Sequence, residues 1–246
     1  MSAPFTPSVA DSSDASAGET FAQRRAITRA AAGIGLYAGA FGLTFGAVSV
    51  ASGLSIAQTA VLSAVMFTGA SQFALVGILG AGGSPMTGLS AAFLLGLRNA
   101  FYGVPVTHIL RPRALSRLWT AHFVIDETTA MAVAQPTPRG RRYAFWATGL
   151  ILFVLWNAGT LAGALIGSGI DTAALGLDAA APAIFLALLA PQLPRDRAPA
   201  VALGSAVVAL ALIPVAPAGV PVIAAAGVAI AAALAPDRRR PGTNDR

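Results

Sequence analysis

Ser84–Val106 reads SPMTGLSAAFLLGLRNAFYGVPV, an apolar run with Arg98 in its middle. A membrane-spanning helix needs about 20 apolar residues, so this run is long enough to cross a bilayer. A charge at that depth is costly and marks a substrate or ion pathway by default. The chain offers Arg98 few partners. Between Ala30 and Ala235 the acidic residues are Asp126, Glu127, Asp171, Asp178 and Asp196, and only the adjacent Asp126 and Glu127 lie inside an apolar stretch, Trp119–Gln135. Pairing of Arg98 with Asp126 or Glu127 is therefore the first functional expectation. The alternative is an arginine that snorkels to lipid headgroups; the apolar residues between Arg98 and Arg111 argue against it.

The rest of the chain has the same character. It is 56% hydrophobic and 11% charged, with a mean hydropathy of +0.71, against roughly 25% charged residues in soluble domains. Apolar stretches recur at about 30–51, 56–80, 85–106, 119–134, 144–169, 179–193, 199–214 and 218–235. The predicted fold is all-α, a polytopic membrane helix bundle with roughly six to eight apolar segments. Residues 1–26, rich in Ser, Ala and Asp without a secretory signal pattern, are expected to form a disordered cytoplasmic tail. Residues 27–236 form one transmembrane domain and 237–246 a cytoplasmic tail.

All 16 basic residues are arginine, and they gather in short clusters between apolar runs. That spacing points to membrane orientation rather than nucleic-acid binding. If every segment crossed fully from a cytoplasmic N-terminus, the cluster Arg111/Arg113/Arg117 would lie outside. If 56–80 and 119–134 are half-helices that return to the side they entered, every cluster lies inside. The second topology is preferred, and both place the two termini in the cytoplasm.

Both interrupted segments carry polar residues. In Phe67-Thr68-Gly69-Ala70-Ser71-Gln72-Phe73, unwinding at the glycine would free backbone groups beside Ser71 and Gln72, which membrane depth tolerates only next to protein or a water-filled cavity. Close packing through small residues, with Gln72 bonded across a helix interface, is the structural alternative. In Ile125-Asp126-Glu127-Thr128-Thr129, adjacent carboxylates repel and burial favours their neutral form, so one of them can load and release a proton. Their alternative is a wet interfacial position near Arg111–Arg117.

Glycines at 33, 35, 39, 42 and 46 have the spacing of close helix packing. His108 and His122 lack metal-ligand company, and His122 would share a face with Asp126 only if that stretch were one helix. There is no cysteine, no HExxH, no phosphate-binding loop and no soluble dinucleotide motif. Enzyme chemistry, a cofactor and a metal are therefore not expected.

Phe67–Phe73, Leu97-Arg98 with Tyr102 a turn later, and Asp126-Glu127-Thr128 resemble, in order and spacing, three landmark motifs of the AzlC family, large subunits of branched-chain amino acid exporters. The stretch 181–188 is similar to that family's later span. The resemblance implies a multi-helix permease of the bacterial inner membrane that works with a small membrane subunit of AzlD type. It further implies proton-driven export of branched-chain amino acids and methionine. Where many members read Asn-Leu-Arg-His, this chain has Gly96-Leu97-Arg98-Asn99, and Asn99 cannot relay protons.

The expected substrate site comprises Arg98, Gly69, Ser71, Gln72, Asn99 and Tyr102, with Asp126 and Glu127 for proton coupling or for an ammonium group. Charge complementarity would place an amino-acid carboxylate on Arg98 and on backbone amides near Gly69–Gln72. The apolar side chain would lie against Phe67, Phe73, Phe101 or Met66. A purely structural Arg98–Asp126 pair, a passive channel, and a carrier of another small zwitterion or organic acid remain open alternatives.

Overall fold

The computed structural model describes residues 9–169 and 197–234 with a few positions between them, and side chains from Phe21 onward. The stretch 179–193, the similar stretch 181–188, Asp171, Asp178, Asp196 and Arg238–Arg240 lie wholly or mostly outside the described residues. Those that are described form helices: α1 (Val9–Ala51), α2 (Ile56–Val65), α3 (Gly69–Gly80), α4 (Pro85–Gly96), α5 (Arg98–Leu110), α6 (Ser116–His122), α7 (Asp126–Val133), α8 (Pro138–Ser168), α9 (Ala198–Leu212) and α10 (Val220–Leu234). Among the described residues the first helix begins at Val9.

Local chemistry sets the helix starts. Ser55 Oγ accepts from the Gln58 amide at 3.2 Å while the Gln58 side chain accepts from the Ser55 amide at 2.8 Å, a reciprocal cap. Ser84-Pro85 and Thr137-Pro138 each pair a capping hydroxyl with a proline at the first helical position, bonding Thr87 N at 3.1 Å and Gly140 N at 3.0 Å. The α5 helix ends at Arg111, which takes a left-handed φ of 46° before Pro112.

Helices α1 and α8 run parallel and form the frame. The predicted glycine spacing explains their closeness: a Cβ on Gly39 would sit 3.0 Å from the Leu155 carbonyl, and one on Gly42 would sit 2.5 Å from the Trp156 carbonyl. Gly46 and Gly163 similarly admit the backbone of Thr160 and Leu43. At one end of this pair Thr28 bonds Tyr143 at 2.8 Å, and Arg24 lies over the Tyr143 ring at 5.2 Å. Residues Phe21–Ala51 and Pro138–Ser168 are each long and apolar enough to cross a membrane, and α4 and α5, bent by 40° at Leu97, are so when taken together. Phe93, Val154 and Leu203 are among the large apolar side chains left on outward faces, as lipid contact requires.

Two hairpins enter this frame from opposite ends. Helix α2 starts beside the end of α1, reaches mid-bundle where Ser63 bonds Thr160, and turns at 66–68; α3 then climbs back until Gly80 lies against Ser52. Helix α6 starts at the other end, after α5 has brought Ile109 to Arg142, and turns at 123–125 beside Gly149 and Phe153. Helix α7 returns so that Arg141 Nε donates to the Gln135 carbonyl at 2.8 Å. Both interrupted segments thus return to the end they entered. Arginines 24–29, 111–117 and 139–142 consequently share one end of the bundle, and the turn between α9 and α10 packs at the opposite end beside Gly83 and Thr87.

Candidate functional site

The two hairpin tips meet at mid-bundle, where Phe67 lies 5.8 Å from Phe123 and 5.8 Å from the His122 ring. The break between α4 and α5 at Leu97 lies at the same depth, because Gly96 is beside Ser71. Three helix N-termini, those of α3, α5 and α7, therefore converge. Each carries amide N–H groups without an intrahelical acceptor and a partial positive charge.

A cavity of about 1140 Å³ occupies this convergence. Its wall combines Arg98, Asp126, Glu127 and Tyr102 with Gly69 and Ala70 at the start of α3. The same wall includes Phe41, Phe67, Phe73, Leu152, Trp156 and Met131. The cavity extends along Gly33–Phe41 and Ala130–Ala134 toward the arginine-rich end. Beyond its lining residue Phe73 lie Phe45, whose ring is 5.3 Å from that of Phe73, and Val76 a turn along α3; the three are 2%, 0% and 0% exposed.

Arg98 Nη2 lies 3.6 Å from Asp126 Oδ1, and both side chains are nearly half exposed, at 44% and 47%. An ion pair this open to solvent contributes about 0–1 kcal/mol. It holds the two charges in register at little cost to breaking it. Asp126 and Glu127 form the first turn of α7, where carboxylates neutralise the helix dipole. Thr128 staples that turn: its hydroxyl donates to the Phe123 carbonyl at 2.6 Å and accepts from the Ile125 amide at 3.2 Å. The start of α3 differs, since the Thr68 side chain makes no capping bond and Gly69 presents bare backbone. A Cβ on Gly69 would lie 3.0 Å from the Trp156 ring, so glycine lets the indole cover that terminus closely.

The structure brings Arg98, Tyr102, Gly69, Asp126 and Glu127 to one cavity. Ser71, Gln72 and Asn99 lie elsewhere. Ser71 Oγ donates to the Ala92 carbonyl at 2.8 Å, tying α3 to α4. The Gln72 amide donates to the Ser63 carbonyl at 3.2 Å and to that of Met66, tying the two arms of the hairpin. Asn99 lines a separate, shallow groove with Met66 and Phe93. Of the side chains expected to meet an apolar substrate group, Phe67 and Phe73 face the cavity; Phe101 is 77% exposed on the outer surface and Met66 faces the groove. His122 and Asp126 do not share a helix face, because the chain breaks between α6 and α7.

Sequence reasoning missed the break at Leu97 and the cavity-lining Trp156 and Leu152. Gly96 immediately before Leu97-Arg98 was the available signal for the break. Nothing local distinguishes Trp156 from an ordinary apolar helix residue; its position follows from the α1–α8 packing. Among the described residues no group of His, Asp or Glu is arranged to hold a metal ion.

The chain is 30% identical over 168 residues to the inner membrane protein YgaZ of Escherichia coli, covering 62% of this chain and 66% of that protein. It is 26% identical over 156 residues to an uncharacterized membrane protein of Helicobacter pylori, covering 63% and 68%. It is also 23% identical over 159 residues to the branched-chain amino acid transport protein AzlC of Bacillus subtilis, covering 63% and 62%. The matched stretch thus spans about two thirds of the length of these relatives. No solved structure matches the chain. The family model described as AzlC protein matches residues 33–170, which contain the whole of α2 to α8 and the convergence of hairpin tips around Arg98; the chain belongs to the AzlC family.

Proposed function

We propose that this protein is a secondary transporter that exports branched-chain amino acids, and methionine with them, from the cytoplasm. The observation that carries this reading is the division of the cavity wall. Its polar groups are Arg98, the bare start of α3 and the carboxylates of Asp126 and Glu127, with Arg98 3.6 Å from Asp126, and most of the remaining wall is apolar and aromatic. An amino-acid carboxylate on Arg98 and the Gly69–Ala70 amides, with its ammonium on Asp126 or Glu127, satisfies both charges. The hydrocarbon side chain then lies against Phe67, Phe73 and Trp156. The name of the Bacillus relative supports the substrate class.

The same geometry supports proton coupling. Asp126 and Glu127 face one arginine, so with both ionised the cavity wall carries a net negative charge. Uptake of one proton removes that excess, and arrival of an ammonium group displaces the need for it. Exchange of a proton for a zwitterion at one carboxylate pair is the elementary event of a proton-driven exporter. The shared arginine-rich end is read as cytoplasmic, so the cavity faces the cytoplasm and both termini lie there. A small membrane subunit of AzlD type completes the assembly.

The test is efflux of labelled leucine, isoleucine, valine and methionine from dipeptide-loaded cells, with and without the candidate small subunit. Accelerated efflux that collapses with an uncoupler and with Arg98→Ala supports the proposal. No acceleration for any of the four, with the protein present in the membrane, contradicts it.

A further inference from the structure

We propose that the buried oxygens of Ser49, Thr59, Ser63, Gln72 and Thr160 line the closed half of the substrate's route, and that the α2–α3 hairpin is the element that moves to open it. This rests on the transporter reading above. The cavity reaches only the arginine-rich end, so a transported zwitterion must leave between α1, α2, α3 and α8, past Phe45 and Phe73.

That region concentrates buried polar side chains. All five polar residues are fully buried, at 0% exposure. Ser63 Oγ donates to Thr160 Oγ1 at 3.2 Å, and Gln72 bonds the Ser63 carbonyl. Ser49 Oγ, Thr59 Oγ1 and Gln72 Oε1 have no hydrogen-bond partner in the protein. Thr59 lies one turn from Ser63, toward the α1–α2 corner that Ser49 also approaches. Where α1 meets α8, the chain achieves close contact through glycines. Where α2 meets α8, it uses hydroxyls that glycine or alanine would replace without leaving unsatisfied groups.

Unpartnered polar groups inside a membrane domain are expensive and mark function. A hydroxyl seam also separates more readily than a glycine seam, because water or a zwitterion headgroup can take up the bonds that separation breaks. The hairpin is suited to this movement. It is joined to the frame at its base, beside Ser52 and Gly80, and its tip presents the Gly69 terminus to the cavity. A substrate carboxylate bound at that terminus touches the moving part directly, which links binding to opening.

The chain has no cysteine, so thiols can be introduced without background. In proteoliposomes, oxidation of S63C/T160C is expected to abolish leucine flux, with recovery on adding dithiothreitol and with leucine binding to the oxidised, purified protein retained. In the single variant T59C, a membrane-impermeant thiol reagent added opposite the arginine-rich end is expected to label the protein, faster when leucine is present. T59C carries the test alone should the double variant not accumulate. Full flux through the cross-linked protein, or no labelling of T59C from that side in protein that turns over, overturns the proposal. Labelling without leucine reports the opening independently of substrate; failure of the wild type to bind leucine would instead overturn the substrate reading while leaving that labelling to decide the hairpin's movement.

Discussion

The two hairpins have the same architecture and opposite electrostatics. Each enters the bundle from one end, turns at mid-depth on a phenylalanine, and aims a helix N-terminus at the shared cavity. The α2–α3 tip reads Phe67-Thr68-Gly69 and leaves its helix start uncapped, so the positive end of α3 is available to an anion. The α6–α7 tip reads Phe123-Val124-Ile125 and is followed by Asp126 and Glu127, which neutralise the dipole of α7 and leave negative charge over for a cation. Arg98, placed between them at the α4–α5 break, reinforces the first role and reports on the second through its contact with Asp126. One backbone design is thus used twice, and under the proposed function a few side chains make of it a dipolar socket for a zwitterion.

Breaking the anionic half should have the largest effect. Arg98→Ala removes the only charged side chain among the described cavity residues that can meet a carboxylate, and transport should fall by about 100-fold or more, the scale of a lost charge-assisted contact. Arg98→Lys should recover part of it, measured as labelled leucine efflux at matched membrane abundance. Breaking the cationic half comes next. Asp126→Asn with Glu127→Gln should abolish uncoupler-sensitive efflux, and the double variant should accumulate normally because the Arg98–Asp126 pair is half exposed and contributes little stability. A purely structural pair would behave differently, with each single variant losing abundance and the combined neutral variant regaining it.

Smaller effects sharpen the comparison. Thr128→Val removes the staple of the α7 start and leaves the buried Ile125 amide without its acceptor, at a cost of about 1–3 kcal/mol. Thermal unfolding of the purified protein should shift down accordingly, with weaker leucine binding. Thr68→Ala removes no capping bond at the start of α3 and should leave stability unchanged in the same assay. Gly69→Ala drives a methyl group toward the Trp156 ring and should weaken leucine binding by about tenfold, within the 1–3 kcal/mol typical of overpacking. Phe101→Ala, on the outer surface, should change neither flux nor binding.

The sequence conveyed the fold class and several residues of the cavity wall because membrane burial makes charge and polarity conspicuous. Arg98 in an apolar run, the Asp126–Glu127 pair, the Gly69 interruption and the glycine spacing of α1 were all visible, and the arginine clusters favoured the returning hairpins that the structure has. Side-chain direction was not visible. Successive residues on a helix turn by about 100°, so a short polar motif cannot face one way: Gly69 meets the cavity, while Ser71 and Gln72 bond the neighbouring arms. Asn99 follows Arg98 by one residue and faces the other side for the same reason. Trp156 joined the site only through the contact of α1 with α8, a long-range fact that no local pattern encodes.

The central claim is that the carboxylate and the ammonium of one substrate are read by different hairpins. Binding of leucine to the purified protein, compared with its decarboxylated and deaminated analogues in wild type, Arg98→Ala and Asp126→Asn/Glu127→Gln, tests this directly. Arg98→Ala should weaken leucine and the carboxylic acid but spare the amine, and the Asp126/Glu127 variant should weaken leucine and the amine but spare the acid. Leucine binding that is unchanged in both variants, or lost equally with all three compounds in each, would contradict it.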